Sequence, residues 1–319
     1  MIRVEQLSKH FGAIKAVDGI SFEVHDQETL ILLGTSGCGK TTTLKMINRL
    51  IEPTSGRILI DGKNIYEQSP ETLRRGIGYV LQNNGLFPHY TVAENIAIVP
   101  QLLKWDSKRI EKRIAELMEK LHLSKEQLNA YPNELSGGQQ QRVGLARALV
   151  ADPPVLLMDE PFGALDNVTR SKIHAEFKDL DEMKRKTVIM VTHDVQEAFE
   201  LGDRICMMDK GKVVQIGTPA ELLFKPANQF VESFLNEQRL QLEFKAIRIK
   251  DIWDLLPHSK EDTKAASLSA DTVIWTGLEK FKFHQADRLN ITYEHEIRSV
   301  GFEQLITAFY KYQSSRTHE

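Results

Sequence analysis

The chain has 319 residues, 41% of them hydrophobic and 27% charged, a composition that is typical of a folded globular protein and excludes a largely disordered one. Its net charge of −3 arises from 41 basic and 44 acidic residues, and the lack of a dense Lys/Arg block argues against nucleic acid as a partner. The two cysteines, Cys38 and Cys206, are too few for a disulfide framework and favour a reducing compartment.

The amino-terminal residues, MIRVEQLSKHF, are too polar for a signal peptide. No apolar run approaches the roughly 18 residues that are needed to span a bilayer. We therefore expect a chain that is soluble on its own. Its length favours two folding units, a large α/β domain followed by a small appendage.

Three β segments are predicted at the start of the chain, in residues 2–8, 20–25 and 29–33. The third, TLILL, ends directly in a glycine-rich loop, and a helix follows from Thr42. After the helix-breaking sequence EPTSG, the segment RILIDGKNI predicts a β-hairpin that turns at Asp61-Gly62. A further strand over 77–81 leads to Gln82.

Helices dominate the middle of the chain. Apolar residues at helical spacing predict an amphipathic helix over 106–121, and a second helix begins at the Ser-Gly-Gly of LSGGQ. Strands and helices then alternate, which favours a parallel sheet. The predicted elements are strand 155–159, helix 168–184, strand 187–191, helix 194–201 and strand 204–208. Residues 209–212 predict a hairpin turn into VVQIG.

A domain boundary is predicted near 236–245, because no nucleotide-type loop occurs beyond about Gln241. The first domain is expected to span 1–240 and the tail 246–319. The tail contains the helix-like IKDIWDLL, and its last part, DRLNITYEHEIRSVGFEQLITAFYKY, predicts a strand, a turn, a second strand and a helix.

The sequence GTSGCGKT fits the phosphate-binding pattern G-x-x-x-x-G-K-[ST], and it lies between a predicted strand and a predicted helix. In such a loop, backbone N–H groups surround the phosphates, the lysine reaches the β- and γ-phosphates and the hydroxyl ligates Mg²⁺. An incidental glycine-rich turn is the alternative. The residues assigned to the nucleotide are Gly34, Thr35, Ser36, Gly37, Cys38, Gly39, Lys40, Thr41 and Thr42.

The strand VLLMDE ends in two adjacent carboxylates, Asp159 and Glu160. The carboxyl edge of a parallel sheet is where ligands bind, so we expect Asp159 to hold Mg²⁺, together with Thr41. Glu160 is placed to accept the proton of an attacking water. Taken alone, such an acidic pair is more often a helix cap or a solvated turn.

The motif LSGGQ supplies a second anion site, because a Ser-Gly-Gly at a helix start presents backbone N–H groups and the helix dipole. With this motif between the P-loop and VLLMDE, the chain resembles the ABC ATPase family. In that family the P-loop of one copy faces the signature motif of another across a head-to-tail dimer, with ATP between them. By this resemblance, ATP would also contact Ser136, Gly137, Gly138 and Gln139.

Further positions match the family pattern, although each is weak alone and has an ordinary alternative as a solvated or hydrogen-bonded residue. Gln82 would be the Q-loop residue, which contacts Mg²⁺ or the water and couples the site to membrane subunits. Asp166 in GALD would join the sites of the two copies, and His193 in VTHD would contact the γ-phosphate. Phe11 would stack on adenine, where many relatives have Tyr; a core Phe is the alternative. The resemblance thus makes Glu160, His193, Lys40 and Gln82 catalytic.

The resemblance covers about residues 1–235 and implies an importer, because no membrane domain is fused to the chain. The segments KMINRLIEPTSGRILIDGKNI, NNGLFPHYTVAENIAIVPQLLKW and LMDEPFGALDNVTR are similar to the ATPases of quaternary-amine osmoprotectant importers, whose cargo is glycine betaine, carnitine or choline. The implied partners are transmembrane permease subunits, an extracytoplasmic solute-binding protein and a second copy, at the cytoplasmic face of the membrane. The alternatives are another solute, such as a bile-related compound or a betaine-like thiol, and a soluble ATPase without a transport role.

Two local expectations remain. GLFPHYTVAENI mixes apolar and aromatic residues and is interpreted either as a groove for the permease or as ordinary packing. If it is a groove, mutating Leu86 or Phe87 should uncouple transport from hydrolysis. Lys40 and the helix start are expected to lower the pKa of Cys38, so that alkylation would inhibit the enzyme unless ATP protects it; a small, tolerated loop residue is the alternative.

The fold class expected is α/β, with a RecA-like P-loop NTPase core, an antiparallel β subdomain and a helical subdomain around 90–150. A small C-terminal α+β tail follows, whose last part resembles a CBS module. The tail has room for about one such module, and a role in dimer contacts alone is an equal alternative. The cofactors expected are ATP and Mg²⁺.

Overall fold

The computed structural model describes residues 1–82, 85–163, 165–166, 170, 173–174, 176–178, 180–259, 261–262, 265–283 and 286–316. The chain divides into two compact units, Met1–Ile216 and Gly217–Glu319. Among the described residues, no helix combines the length and the apolar character that crossing a lipid bilayer requires.

The first unit contains both sheets and helices. Its strands are β1 Ile2–Phe11, β2 Ile14–Val24, β3 Thr29–Gly34, β4 Ser55–Ile60, β5 Lys63–Asn64, β6 Ile77–Val80, β7 Val155–Asp159, β8 Thr187–Thr192, β9 Arg204–Asp209 and β10 Lys212–Gly217. Its helices are α1 Lys40–Ile47, α2 Pro70–Arg75, α3 Val92–Leu102, α4 Ser107–Lys120, α5 Gly137–Leu149 and α6 Val195–Leu201. Short 3₁₀ turns lie at Ile65–Glu67, Lys125–Asn129, Pro132–Glu134 and Met183–Arg185.

The larger sheet is mainly parallel, as the alternation of strands and helices predicts. Its order is β10-β9-β3-β8-β7-β6, and β9, β3, β8, β7 and β6 run parallel to one another. Strands β7 and β8 are buried along their whole length, as expected of strands that are covered on both faces. The carboxyl ends of β3, β8, β7 and β6 therefore lie side by side at one edge.

The second sheet of this unit is antiparallel, in the order β2-β1-β4-β5. Asp61 and Gly62 have φ values of 50° and 76°, the two positive values that a type I′ turn requires. The predicted Asp-Gly hairpin between β4 and β5 is thus confirmed.

The helical region around 90–150 is confirmed as well. Thr91 and Glu94 form a reciprocal capping box at the start of α3, and Asp106 caps α4. The apolar face of α4 is buried, as its helical spacing predicts; the buried residues are Ile110, Ile114, Leu117 and Met118.

The predicted helix over 168–184 is too long. Residues 170, 173–174 and 176–178 are helical, but residues 180–182 are not, and Val168 lies outside the described residues. The N–H groups of Leu180 and Met183 bond to carbonyls three residues back, in tight turns. Glu182 is buried and bonded to Lys120 of α4, so tertiary contacts end this helix early.

The second unit consists of short helices and a small sheet. Its elements are α7 Pro219–Phe224, α8 Gln229–Asn236, α9 Arg239–Ala246, a 3₁₀ turn Ile249–Leu255, β11 Ala266–Ser269, α10 Ile274–Phe283, β12 Arg288–Tyr293, β13 Glu296–Gly301 and α11 Phe302–Arg316. The sheet order is β11-β12-β13, with β11 parallel and β13 antiparallel to β12. The strand-turn-strand-helix ending follows the predicted order.

Helices α7 to α9 belong to this second unit. Arg239 donates to the carbonyl of Leu223 at 3.0 Å and to the carboxylate of Glu243 at 2.9 Å. Gln313 of α11 donates to the same carboxylate at 2.7 Å. The unit therefore begins before the sequence boundary near 236–245, while the domain assignment of 1–240 and 246–319 stays a prediction.

Candidate active site

The predicted catalytic residues all follow strands that end at the carboxyl edge of the parallel sheet. The P-loop follows β3, Glu160 follows β7 and His193 follows β8. Gln82 lies two residues beyond the end of β6. Because these four strands are neighbours, residues far apart in sequence come within hydrogen-bonding distance.

The P-loop depends on glycines at two close approaches. Gly34 has φ 154°, and a Cβ there would lie 2.0 Å from the carbonyl oxygen of Met208. Gly39 has φ 103°, and its Cβ would lie 2.4 Å from the carbonyl oxygen of Ala16. Side chains at these positions would collide with backbone, so the loop is compact because both residues are glycine.

Lys40 lies inside the P-loop. Its Nζ donates to the carbonyls of Gly34 at 2.9 Å and Thr35 at 2.8 Å, and the side chain is 5% exposed. The Thr35 hydroxyl in turn donates to Asp209 at 3.2 Å. The ammonium is therefore held where the loop curls, and helix α1 begins at Lys40 itself.

The two residues that the sequence assigns to the metal, Thr41 and Asp159, contact each other. The Thr41 hydroxyl donates to Asp159 Oδ1 at 2.8 Å, across 118 positions of sequence. Burial raises the pKa of Asp159, while the hydrogen bond from Thr41 opposes this rise. A hydroxyl and a carboxylate are hard oxygen ligands and fit Mg²⁺, which is usually held by one or two carboxylates together with phosphates and water.

Glu160 is the centre of the polar cluster. Gln82 Nε2 donates to Glu160 Oε2 at 3.1 Å, and His193 Nδ1 lies 3.2 Å from the same oxygen. Glu160 has φ 43°, a left-handed backbone that is uncommon for a side chain with a Cβ, and its N–H bonds to the carbonyl of Val191 at 2.9 Å. This turn takes the chain out of β7 and directs the carboxylate towards Gln82 and His193.

The signature motif forms a capped helix start. Gln139 N–H donates to Ser136 Oγ at 3.3 Å, and Gln139 Oε1 accepts from the Ser136 N–H at 2.8 Å. Ser136 and Gly137 are exposed, and Gly138 is half-buried. Both of these hydrogen bonds of Ser136 are local, within the first turn of α5.

Phe11 is not a core residue, so that alternative is wrong. Its ring is 50% exposed, and Phe11 pairs with Ile14 at the end of the β1–β2 hairpin. Two residues further, the carbonyl of Ala16 approaches Gly39 of the P-loop. An exposed aromatic ring thus lies on a hairpin that contacts the P-loop.

The expected lowering of the Cys38 pKa is wrong. The Cys38 side chain is 2% exposed, and burial raises the pKa of its thiol. Lys40 Nζ lies 3.6 Å from Cys38 Sγ and acts in the opposite direction, but it does not outweigh the loss of water. Cys38 is therefore held as a thiol.

The segment after Gln82 carries an exposed aromatic loop, which we define as Phe87, His89 and Tyr90. Their rings contact one another, with centroids 5.5 Å apart for Phe87 and Tyr90 and 4.7 Å apart for His89 and Tyr90. Phe87 is 44% exposed and Tyr90 38%. Asn95, which sequence reasoning missed, holds the loop from below: it is fully buried and bonded to the backbone of Phe87 and Tyr90. The available clue was a second polar residue directly after the capping Glu94, ahead of the apolar run Ile96 to Val99.

Asp166, the expected D-loop residue, lies on the carboxyl side of β7, beyond Glu160. Its carbonyl accepts the N–H of Arg170 at 2.9 Å, and the preceding Leu165 is buried. Gly137 of the signature motif is near it, since a Cβ built there would lie 4.0 Å from the Leu165 side chain. Sequence reasoning missed Arg170, whose side chain connects this loop to α6.

Comparison with known proteins agrees with this geometry. Residues 17–163 match the ABC transporter family. The chain is 54% identical over 241 residues to the glycine betaine/carnitine/choline transport ATP-binding protein OpuCA of Bacillus subtilis, covering 75% of this chain and 63% of the relative. It is 43% identical over 298 residues to the choline transport ATP-binding protein OpuBA of the same organism, covering 93% of this chain and 77% of the relative.

Among solved structures, a dimeric post-hydrolysis state of the ATP-binding cassette MJ0796 bound to ADP and Pi is similar. It has 34% identity and a TM-score of 0.61, and the match covers 68% of this chain and 98% of that one. The residues at the carboxyl edge of the sheet and these sequence similarities support one conclusion. This chain belongs to the family of ABC transporter ATP-binding proteins.

Proposed function

We propose that the chain hydrolyses ATP at the carboxyl edge of its parallel sheet and thereby energises the import of quaternary-amine osmoprotectants. The observation that carries the hydrolytic part is the position of Glu160, whose Oε2 lies 3.1 Å from Gln82 Nε2 and 3.2 Å from His193 Nδ1. Two polar side chains thus converge on one carboxylate beside the P-loop. This arrangement suits a general base that is aimed at a water molecule.

Each residue of the edge has one part in the reaction. Lys40 exchanges its loop carbonyls for oxygens of the β- and γ-phosphates. Thr41, Asp159 and Gln82 would hold Mg²⁺, which neutralises charge on the phosphates when bound. The oxygen of the water attacks the γ-phosphorus while Glu160 accepts a proton from this water. The bond between the γ-phosphorus and the oxygen that leaves with ADP breaks. His193 contacts the γ-phosphate and keeps Glu160 oriented.

The site is completed by a second copy of the chain. Ser136, Gly137 and Gly138 of the second copy contact the γ-phosphate at the start of α5, so that two composite sites form in a head-to-tail dimer. This is supported by the exposure of Ser136 and Gly137 at the start of α5. Asp166 lies at the junction of the two sites, and Phe11 stacks on adenine. ATP closes the dimer and hydrolysis opens it.

The transport role places the chain at the cytoplasmic face of the membrane, bound to permease subunits. The exposed aromatic loop is the surface that we assign to the permease, because contiguous apolar and aromatic surface marks docking sites. A solute-binding protein would deliver glycine betaine, carnitine or choline to the outer face. The cargo is supported by the names of the two relatives, which are a glycine betaine/carnitine/choline and a choline transport ATP-binding protein.

The tail has a separate role. We assign 1–240 to the nucleotide-binding domain and 246–319 to an accessory domain with one CBS-like module. The order of β11, α10, β12, β13 and α11 supports this assignment. The same fold of the tail is also compatible with a role in contacts between the two copies of a dimer.

The deciding experiment is solute uptake into liposomes that contain the cognate permease and solute-binding protein. Glycine betaine, carnitine and choline are compared, with wild type and Glu160→Gln. ATP-dependent uptake of one of these solutes that the variant abolishes would support both parts of the proposal. Hydrolysis without uptake of any of them would retain the ATPase and discard the cargo. A wild-type protein without hydrolysis would discard both.

A further inference from the structure

Two ion pairs join the residues that follow Asp166 to the start of α6, the helix that follows His193. Arg170 Nη1 donates to Asp194 Oδ2 at 2.9 Å, while Arg170 Nη2 donates to the carbonyl of Leu165 at 2.9 Å. One helical turn further, His174 Nε2 lies 3.2 Å from Glu197 Oε1. These contacts connect two parts of the site that the proposed mechanism treats separately.

The spacing of the charges makes the two connections parallel. Arg170 and His174 are both helical and four residues apart, the spacing that places two side chains on one helix face. Asp194 and Glu197 are three residues apart at the start of α6 and share one face there. The two faces are therefore matched, with cations on one and carboxylates on the other.

Asp194 carries both the cap of α6 and the bond to Arg170. Its Oδ1 accepts the N–H groups of Gln196 at 2.8 Å and Glu197 at 3.2 Å. Its Oδ2 remains for Arg170. Arg170 therefore binds the residue that caps the first turn of α6, directly after His193.

His193 depends on this backbone for its position. Its side chain is 62% exposed, so close packing does not hold it. Thr192 Oγ1 accepts the N–H of Asp194 at 3.0 Å. This hydrogen bond joins the two residues that flank His193 in the chain. Displacing Asp194 would therefore change the 3.2 Å distance between His193 and Glu160.

The second connection is buried. His174 is 4% exposed and Glu197 3%, and the ring of Phe162 covers the imidazole edge-on with centroids 4.8 Å apart. Burial lowers the pKa of His174. Hydrogen bonds to Glu197 and Glu200 together raise the pKa by more than this, so that its value is about 8. Within the described residues, the carboxylates facing the imidazole are those of Glu197 and Glu200 on α6.

We propose that Arg170 and His174 are positioning residues that couple the loop of Asp166 to His193, so that contact of this loop with the second copy sets the position of the histidine at Glu160. The proposal rests on the proposed function, in which Asp166 lies at the junction of two composite sites. It assigns a role to two side chains that the proposed mechanism does not place against ATP. The coupling would make hydrolysis at one site depend on the occupancy of the other.

The test measures ATP hydrolysis by the full chain against ATP concentration for Arg170→Ala, Asp194→Asn and the double variant. Asp194→Asn keeps an oxygen that caps α6 but removes the charge that binds Arg170. Each single variant should lower kcat about tenfold and bring the Hill coefficient for ATP towards 1, with KM changed less than about twofold. The double variant should be no worse than the worse single variant, because both remove one connection.

A matched control is available in Arg204, at the amino-terminal edge of the sheet. Arg204 Nη1 donates to Glu28 at 3.0 Å and to the carbonyl of Glu23 at 3.3 Å, and its side chain is 29% exposed against 23% for Arg170. Arg204→Ala should therefore lower the unfolding midpoint comparably and leave kcat and the Hill coefficient unchanged. If Arg170→Ala behaves like Arg204→Ala, the connection is structural only and the proposal is overturned.

The imidazole is tested by pH. His174 is charged below pH about 8 and loses its charge as pH rises through that value, so the wild-type kcat should fall there. His174→Gln should lack this step, and coinciding profiles would remove His174 from the coupling. If Arg170→Ala fails to fold, Arg170→Lys replaces it in the test. A kcat close to that of wild type supports a role for the positive charge at Asp194. A loss of kcat equal to that of Asp194→Asn contradicts this role. A wild-type chain without hydrolysis would overturn the proposed function itself.

Discussion

Asn95 holds the aromatic loop through its side-chain amide, and its removal should be costly. Oδ1 accepts the N–H of Phe87 at 2.8 Å. Nδ2 donates to the carbonyls of Phe87, Tyr90 and Thr91 at 3.1, 3.1 and 3.0 Å. Because Nδ2 has two hydrogens for three carbonyls, the side chain provides about three full hydrogen bonds in a site with no exposure.

Asn95→Ala removes these bonds and leaves the backbone groups of Phe87, Tyr90 and Thr91 without this partner. At about 1 kcal/mol of net stabilisation for each bond, we expect the free energy of unfolding to fall by about 2–4 kcal/mol. Asn95→Asp keeps the acceptor for Phe87 but places a carboxylate against three carbonyl oxygens. It should therefore be at least as destabilising as Asn95→Ala.

The assay is urea denaturation of the full chain followed by circular dichroism. Asn64→Ala is the control, because Asn64 accepts a single N–H, that of Tyr66 at 3.0 Å, and should cost about 1 kcal/mol or less. A loss for Asn95→Ala no larger than that of the control would refute the reasoning. So would an Asn95→Asp variant that is more stable than Asn95→Ala.

Three further outcomes are expected. Glu160→Gln removes the proton acceptor and leaves the P-loop intact, so kcat should fall about 10²–10⁴-fold and an ATP-bound dimer should accumulate in size-exclusion chromatography; normal turnover would take Glu160 out of catalysis. Burial of Cys38 and its raised pKa predict slow maleimide labelling of the native chain at about pH 7.5 and fast labelling in urea, and rapid native labelling would contradict this. Phe11→Ala should weaken ATP binding about tenfold by calorimetry, with Phe11→Tyr unchanged, and equal affinities would count against stacking.

Much of the candidate site could be predicted from local sequence. The P-loop, the acidic strand end and the capped LSGGQ helix are contiguous motifs, and each carries its own backbone chemistry. The Asp61-Gly62 turn was predictable for the same reason, since its two positive φ values are a local property. Such features depend on neighbouring residues and little on the rest of the chain.

Other features depended on packing. The thiol of Cys38 was misjudged because burial outweighs the nearby Lys40, and burial cannot be read from the loop sequence. The helix after Asp166 was predicted too long, because the buried Glu182 pairs with the partly exposed Lys120, which lies 62 positions away in sequence. Tertiary contacts override helical propensity at such places.

The sequence by itself determined which residues can take part in catalysis. They are a lysine and a hydroxyl at the start of a helix, two carboxylates at the end of one strand, and a glutamine and a histidine that each follow a further strand. Only the tertiary structure decided that they meet. The order β3, β8, β7, β6 brings Gln82 to Glu160 across 78 positions of sequence, and it brings Arg170 to Asp194. Strand order arises from burying many apolar faces at once, so no local pattern contains it.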